Sequence, residues 1–227
     1  MVIDEKLGIV KHKLIHLFLS QRMMKQAESE RKGNMDIRCF IAITLPETVK
    51  NKIAEIISDL RKTGGDIKWV PAGNVHLTLK FLGDVNKTII PALKQSLSKK
   101  LSHYKPVYIK IAGIGCFPSE KRPRVIWIGM EDSEVLKGMQ KEVDVELNAF
   151  GFAPEDRPFS PHLTIGRVRS PKRLPELMRR CADVKATELG AIEVTSIHIM
   201  KSELKPAGAA YSSLAEIPFG TGRNDGE

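Results

Sequence analysis

From residue 36 onward the chain switches between two hydrophobic periods. Asp36-Ile-Arg-Cys-Phe-Ile-Ala-Ile-Thr44 is rich in β-branched and aromatic residues and predicts a strand over 36–44. After Pro46, Val49, Ile53, Ile56, Ile57 and Leu60 recur at helical spacing until Gly64-Gly65 stop the helix. The same reading gives a strand over 75–81, a helix from about Lys87 to Leu101, and strands near 106–114 and 124–130. A helix carrying Val135, Leu136, Met139, Val143 and Leu147 closes at Gly151. A strand over 162–168 leads to a helix with Leu174, Leu177, Met178 and Cys181. Strands near 187–200 and 210–217 finish the pattern.

Residues 1–34 read differently. They hold seven Lys/Arg and four Asp/Glu, no proline, and only a weak helical pattern. The stretch Glu28 to Asn34 can be encoded almost entirely by purines, like a ribosome-binding site ahead of a start codon. The expectation is that Met35 is the initiator and 1–34 an upstream extension; a genuine basic appendage is the alternative. The domain is placed at 35–219, with 220–227 a frayed tail.

At 42% hydrophobic the chain can bury a sizeable core, which excludes wholesale disorder and coiled-coil or collagen-like architectures. No run approaches the roughly 18 apolar residues of a membrane span. Cys39, Cys116 and Cys181 are scattered without a CxxC pair, which argues against a disulfide framework or a zinc site and suits a reducing cytoplasm. The net charge of +9 points to an anionic partner, nucleic acid or nucleotide first. Aromatics, at 6%, are too few for a long base-stacking platform.

An internal echo carries the chemistry. Val75-His76-Leu77-Thr78-Leu79 recurs as Pro161-His162-Leu163-Thr164-Ile165, 86 residues later. Each copy is followed by a turn, a helix and a strand, which implies two pseudo-twofold lobes facing each other across a central cleft. On a strand, alternate side chains share a face, so His76 and Thr78 point one way and Leu77 and Leu79 the other. His162 and Thr164 repeat the arrangement. Two imidazoles and two hydroxyls then converge on one small volume. Imidazole gives or takes a proton near neutral pH, and a hydroxyl donates to an anionic oxygen without adding charge. Paired on opposite sides of a phosphodiester, they suit in-line displacement. A zinc site fits poorly, because the local partners are hydroxyls rather than Cys, Asp or a third His. His103 reads as part of a polar connection and His198, between Ile197 and Ile199, as a packed core histidine.

These motifs sit in longer contexts: Met35-Asp-Ile-Arg-Cys-Phe-Ile-Ala-Ile, Trp69-Val-Pro, His76-Leu-Thr-Leu-Lys-Phe-Leu-Gly83, and Arg157-Pro-Phe-Ser-Pro-His-Leu-Thr-Ile-Gly-Arg167. Over roughly 35–219 the sequence resembles the LigT-like RNA 2′,3′-cyclic phosphodiesterases of the 2H phosphoesterase superfamily. The resemblance implies an α+β, bilobal fold with two antiparallel sheets facing a basic cleft and helices outside. It implies metal-independent, cofactor-free hydrolysis of RNA 2′,3′-cyclic phosphate ends to 2′-phosphomonoesters; separately, a monomer is expected. His76 would be the proton donor, His162 the proton acceptor, and Thr78 and Thr164 would hold the non-bridging oxygens. Ligation of tRNA halves through a 2′–5′ linkage would be the reverse reaction.

Secondary contacts carry over from the same resemblance. Phe81 and Arg167, each five residues past its histidine, match positions for a base-stacking aromatic and a phosphate-binding cation. Strict alternation aims both away from the cleft, whereas Lys80, in phase with His76 and Thr78, is expected at the cleft rim. Arg122 and Arg124, flanking Pro123, are either a basic lip for an RNA tail or a solvated loop. Two rival functions stay open: a relative acting on a small cyclic nucleotide or ADP-ribose cyclic phosphate, and a non-catalytic protein that binds RNA ends.

Overall fold

The computed structural model describes residues 36–131, 133–206 and 208–220, so the expectations for 1–34, Met35 and most of the tail lie outside the described residues. Among the described residues nine strands form two antiparallel sheets. The first has the order β3-β1-β8-β9, from β3 (Leu77–Asn86), β1 (Asp36–Ile43), β8 (Ser196–Lys205) and β9 (Gly208–Pro218). The second has the order β2-β6-β5-β4-β7, from β2 (Ile67–Trp69), β6 (His162–Val168), β5 (Val125–Met130), β4 (Val107–Phe117) and β7 (Glu188–Val194). The α-helices α1 (Glu47–Arg61), α2 (Ile90–Leu101), α3 (Ser133–Asn148) and α4 (Leu174–Asp183) give the described residues the α+β architecture expected from the sequence.

Strand–helix–strand–helix occurs twice, as β1-α1-β3-α2 and β5-α3-β6-α4, with β2 inserted in the first copy. The halves are not closed units. β4, from the first half, pairs with β5 of the second, and β8, from the second half, pairs with β1 of the first. With β2 also in the second sheet and β9 in the first, each half lends two strands to the other's sheet.

Alternation sorts the strands as amphipathic ribbons. Cys39, Ile41 and Ile43 of β1 join the main core with Val49, Ile53, Ile57 and Leu60 of α1 and Leu93, Leu97 and Leu101 of α2. Phe40 and Ala42 point to the other face, where they form a small separate cluster with Met200 and Tyr211. α1 ends where the sequence predicts, because Gly64 takes up φ 72°, a left-handed conformation costly for other residues. The run 187–200, expected as one strand, is two: β7 and β8 belong to different sheets, and Thr195 between them carries the chain across.

Candidate active site

β2 positions the first motif against the second. Lys68 lies opposite Arg167, Trp69 opposite Gly166, and the Val70 amide donates to the Ile165 carbonyl at 2.9 Å. Residues 70–76 then cross from the second sheet to the first and deliver His76 to the head of β3. Nothing bulkier than hydrogen fits at Gly166 without movement: a Cβ there would lie 2.8 Å from Ile67 Cγ2. The three-residue β2 is invisible to periodicity, yet it joins the two motifs.

Both histidines are held in the same way. His76 Nδ1 lies 2.8 Å from the Asn74 carbonyl, and His162 Nδ1 lies 2.7 Å from the Ser160 carbonyl, each two residues upstream. A carbonyl only accepts, so Nδ1 carries hydrogen in both rings and Nε2 is left to exchange protons. Asn74 is itself fixed by donating its side-chain amide to the Ala209 carbonyl at 2.6 Å. His76 stacks on Phe40, with centroids 4.7 Å apart, and meets the edge of Tyr211 at 5.1 Å. His162 meets Phe117 edge-on at 5.0 Å, and Phe117 leans on Trp127. This aromatic cradle comes from β1, β4, β5 and β9 and has no local signature near either motif; only the β-rich run around Phe40 hints at it. Burial pushes the His76 pKa below its ordinary value, and the Asn74 carbonyl opposes that shift in part.

Thr78 and Thr164 are half-buried beside their histidines, Thr78 opposite Ala42 and Thr164 opposite Trp127. Beyond them strict alternation fails, in the same place in both strands. Ala42 pairs with Thr78 and Ile41 with Lys80, so Leu79 is an extra residue. Trp127 pairs with Thr164 and Ile126 with Gly166, so Ile165 is extra. A β-bulge three residues past each histidine reverses the phase of the residues beyond it.

The reversal corrects the expectation for Lys80. It is not at the cleft rim but 2% exposed, ion-paired with Asp144 of α3 and donating to the Ala153 carbonyl at 2.7 Å. Asp144 also accepts from the Glu155 amide at 3.2 Å. Phe81, which straight alternation would have buried, pairs with Phe40 on the His76 face and stays 64% exposed, its ring 6.3 Å from that of Phe40. Arg167 is exposed opposite Val125, on the face of Thr164 and Trp127.

His198 is also corrected. It is half-buried and lies opposite Ala42 on the Phe40 face of the first sheet, not in the main core. Its Nδ1 is 3.1 Å from Ser213 Oγ, and burial lowers its pKa. His103 lies apart, exposed at the end of α2 beside Glu142. Among the described residues no three His, Cys, Asp or Glu side chains gather as a metal site, and no helix is long and apolar enough to cross a membrane.

Comparison with known proteins agrees with the duplication. The LigT-like phosphoesterase family model matches twice in tandem, at residues 43–127 and 128–211. An RNA 2′,3′-cyclic phosphodiesterase of Methanothermobacter thermautotrophicus is 34% identical over 180 residues, 79% of this chain and 97% of that protein. One from Methanocaldococcus jannaschii is 38% identical over 180 residues, covering 79% and 99%. A crystal structure of a Thermus thermophilus protein superposes with a TM-score of 0.67 at 26% identity, covering 82% of this chain and all of that one. With both halves matched in order and nearly the full length of these relatives spanned, the chain belongs to the LigT-like phosphoesterase family.

Proposed function

We propose that the protein hydrolyses RNA 2′,3′-cyclic phosphate ends to 2′-phosphomonoesters, with His162 as the base and His76 as the acid. The observation that carries this reading is the matched anchoring of the two imidazoles, each through Nδ1 to the carbonyl two residues upstream, with Nε2 left free. Near full-length similarity to relatives named RNA 2′,3′-cyclic phosphodiesterase supports the substrate class.

His162 Nε2 takes a proton from water as the water oxygen bonds to phosphorus. The P–O3′ bond breaks in line, and His76 Nε2 gives its proton to the departing 3′ oxygen. The phosphate stays on the 2′ oxygen. Thr78 and Thr164 donate to the non-bridging oxygens, where negative charge grows in the transition state. Phe81 offers an exposed ring to a base and Arg167 a cation to the phosphate. The lowered pKa of His76 opposes its role as an acid in the free protein, and the anionic phosphodiester offsets this by favouring the imidazolium once bound. Attack by an RNA 5′-hydroxyl instead of water, with His162 taking its proton and the P–O3′ bond breaking in the same way, forms a 2′–5′ linkage.

The test is product analysis of an RNA bearing a 2′,3′-cyclic phosphate, with a chelator present. The expected product is 2′-phosphate. His76→Ala and His162→Ala should each reduce kcat by at least about 10²-fold, the size of one general acid or base contribution. The double variant should lose less than the product of the two single losses. Mainly 3′-phosphate, or near wild-type kcat in a well-folded single variant, contradicts the assignment.

A further inference from the structure

Where the 118–124 loop meets the end of β6, the chain builds an open recess of about 480 Å³ that the proposed hydrolysis does not use. Its rim carries Lys121, Arg122, Arg124 and Arg169, and its floor includes Val168 and Leu174. All four cations are exposed, and among the described residues none is paired with a carboxylate; Glu120, the acid beside them in sequence, engages Lys185 instead. Like charges held together without counter-ions repel one another, and an entering anion relieves that repulsion.

The recess lies at the far end of the strand that carries the second motif. Beyond Thr164 and the bulge comes Arg167, and just past the end of β6 at Val168 comes Arg169, whose amide donates to the Asp66 carbonyl at 2.9 Å. The Val168 amide donates to the Arg124 carbonyl at 2.9 Å, which brings the loop against this stretch. Lys68 flanks Arg167 from β2. The first lobe has no such track: seven residues past His76 stands Gly83, followed by Asp84, where the second lobe has Arg169. The asymmetry suits a substrate with one tail, because a 2′,3′-cyclic phosphate closes the 3′ end and leaves all remaining RNA on the 5′ side.

We infer that this recess is a subsite for a nucleotide upstream of the cyclic end, its phosphodiester held by the arginines and its ribose or base resting on the apolar floor. The inference rests on the phosphodiesterase reading and narrows the substrate class to oligonucleotides over mononucleotides. Exposed cations that track a backbone, with apolar surface for the sugar or base, are how single-stranded nucleic acid is held without sequence readout.

The experiment compares kcat/KM for a short RNA ending in a 2′,3′-cyclic phosphate with that for a mononucleotide 2′,3′-cyclic phosphate. It uses the wild type and an Arg122→Gln/Arg124→Gln/Arg169→Gln variant. Turnover of the oligonucleotide by the variant should fall at least about tenfold, the loss of one charge-assisted hydrogen bond. Its dependence on log salt should flatten by about 0.7 for each phosphate contact removed. Mononucleotide turnover should stay within about twofold, which also shows that the variant is folded. If the triple variant does not fold, Arg122→Gln should show the same partition on a smaller scale. Equal losses on both substrates, or no loss on either, overturn the subsite and leave the phosphodiesterase reading standing. Wild-type failure on both substrates sinks that reading, and the subsite with it.

Discussion

Replacing Lys80 with methionine probes the buried link between the two motifs. The substitution keeps most of the stem's volume but removes the charge from a side chain 1% exposed and leaves the Asp144 carboxylate, 14% exposed, without its cation. The Ala153 carbonyl loses its donor as well, while the Glu155 amide still reaches Asp144. Removing one partner of a buried pair costs about 3–5 kcal/mol, and the retained amide puts this case near 3. For a domain of this size that corresponds to a fall in Tm of about 6–12 °C. Urea unfolding should show a lower midpoint with little change in m. Lys80→Met/Asp144→Leu, which removes both charges, should recover to within about 1 kcal/mol of wild type. That recovery is the signature of a coupled pair, since two independent losses would add. A single-variant cost below about 1 kcal/mol, or additivity in the double variant, shows that no such coupling exists. Activity gives a second readout: Ala153 and Glu155 lie on the segment that leads to Ser160 and His162, so Lys80→Met should lower kcat more than it raises KM.

Further expected outcomes concern the site itself. The kcat/KM profile should be bell-shaped, with limbs that belong to the coupled pair of histidines. Because burial lowers the His76 pKa, its protonated form is lost at lower pH in the free enzyme, so the alkaline limb of kcat/KM should lie acidward of that of kcat. Coincident alkaline limbs would show that bound phosphate does not raise that pKa. Thr78→Ala and Thr164→Ala should each raise the barrier by about 1–3 kcal/mol, the loss of one hydrogen bond to a charged oxygen, read from kcat/KM. Gly166→Ala forces a Cβ to 2.8 Å from Ile67 and 3.0 Å from Trp69 and should cost about 1–3 kcal/mol in urea unfolding.

Much of this is legible in the sequence because long amphipathic elements and repeated motifs leave strong traces. Val49, Ile53, Ile57 and Leu60 set α1, and the 162–168 strand appears with the bounds expected of it. The features that escape depend on pairing partners. A bulge is a mismatch between two strands, so nothing in His76-Leu-Thr-Leu-Lys-Phe says that Leu79 is the extra residue and that Lys80 and Phe81 exchange faces. Thr195 looks like one more β-branched strand residue, yet the chain changes sheets there. His198 sits between isoleucines that do face the core, which makes it resemble them, but Ala42 and Ser213 beside it mark the opposite face.

The exchange of strands between the halves also sets an order of assembly. Phe40, which supports the His76 ring, pairs with Met200, and at about 5–20 residues synthesised per second its partner follows about 8–32 s later. Contacts so distant along the chain are slow to form, because loop closure must precede any gain from pairing. During that interval β1 has its antiparallel partner β3 on one side and an open edge on the other. Such an edge is a template for a second chain. The first histidine is therefore translated early but seated late, and the nascent half is most exposed to misassembly with another copy before β8 arrives.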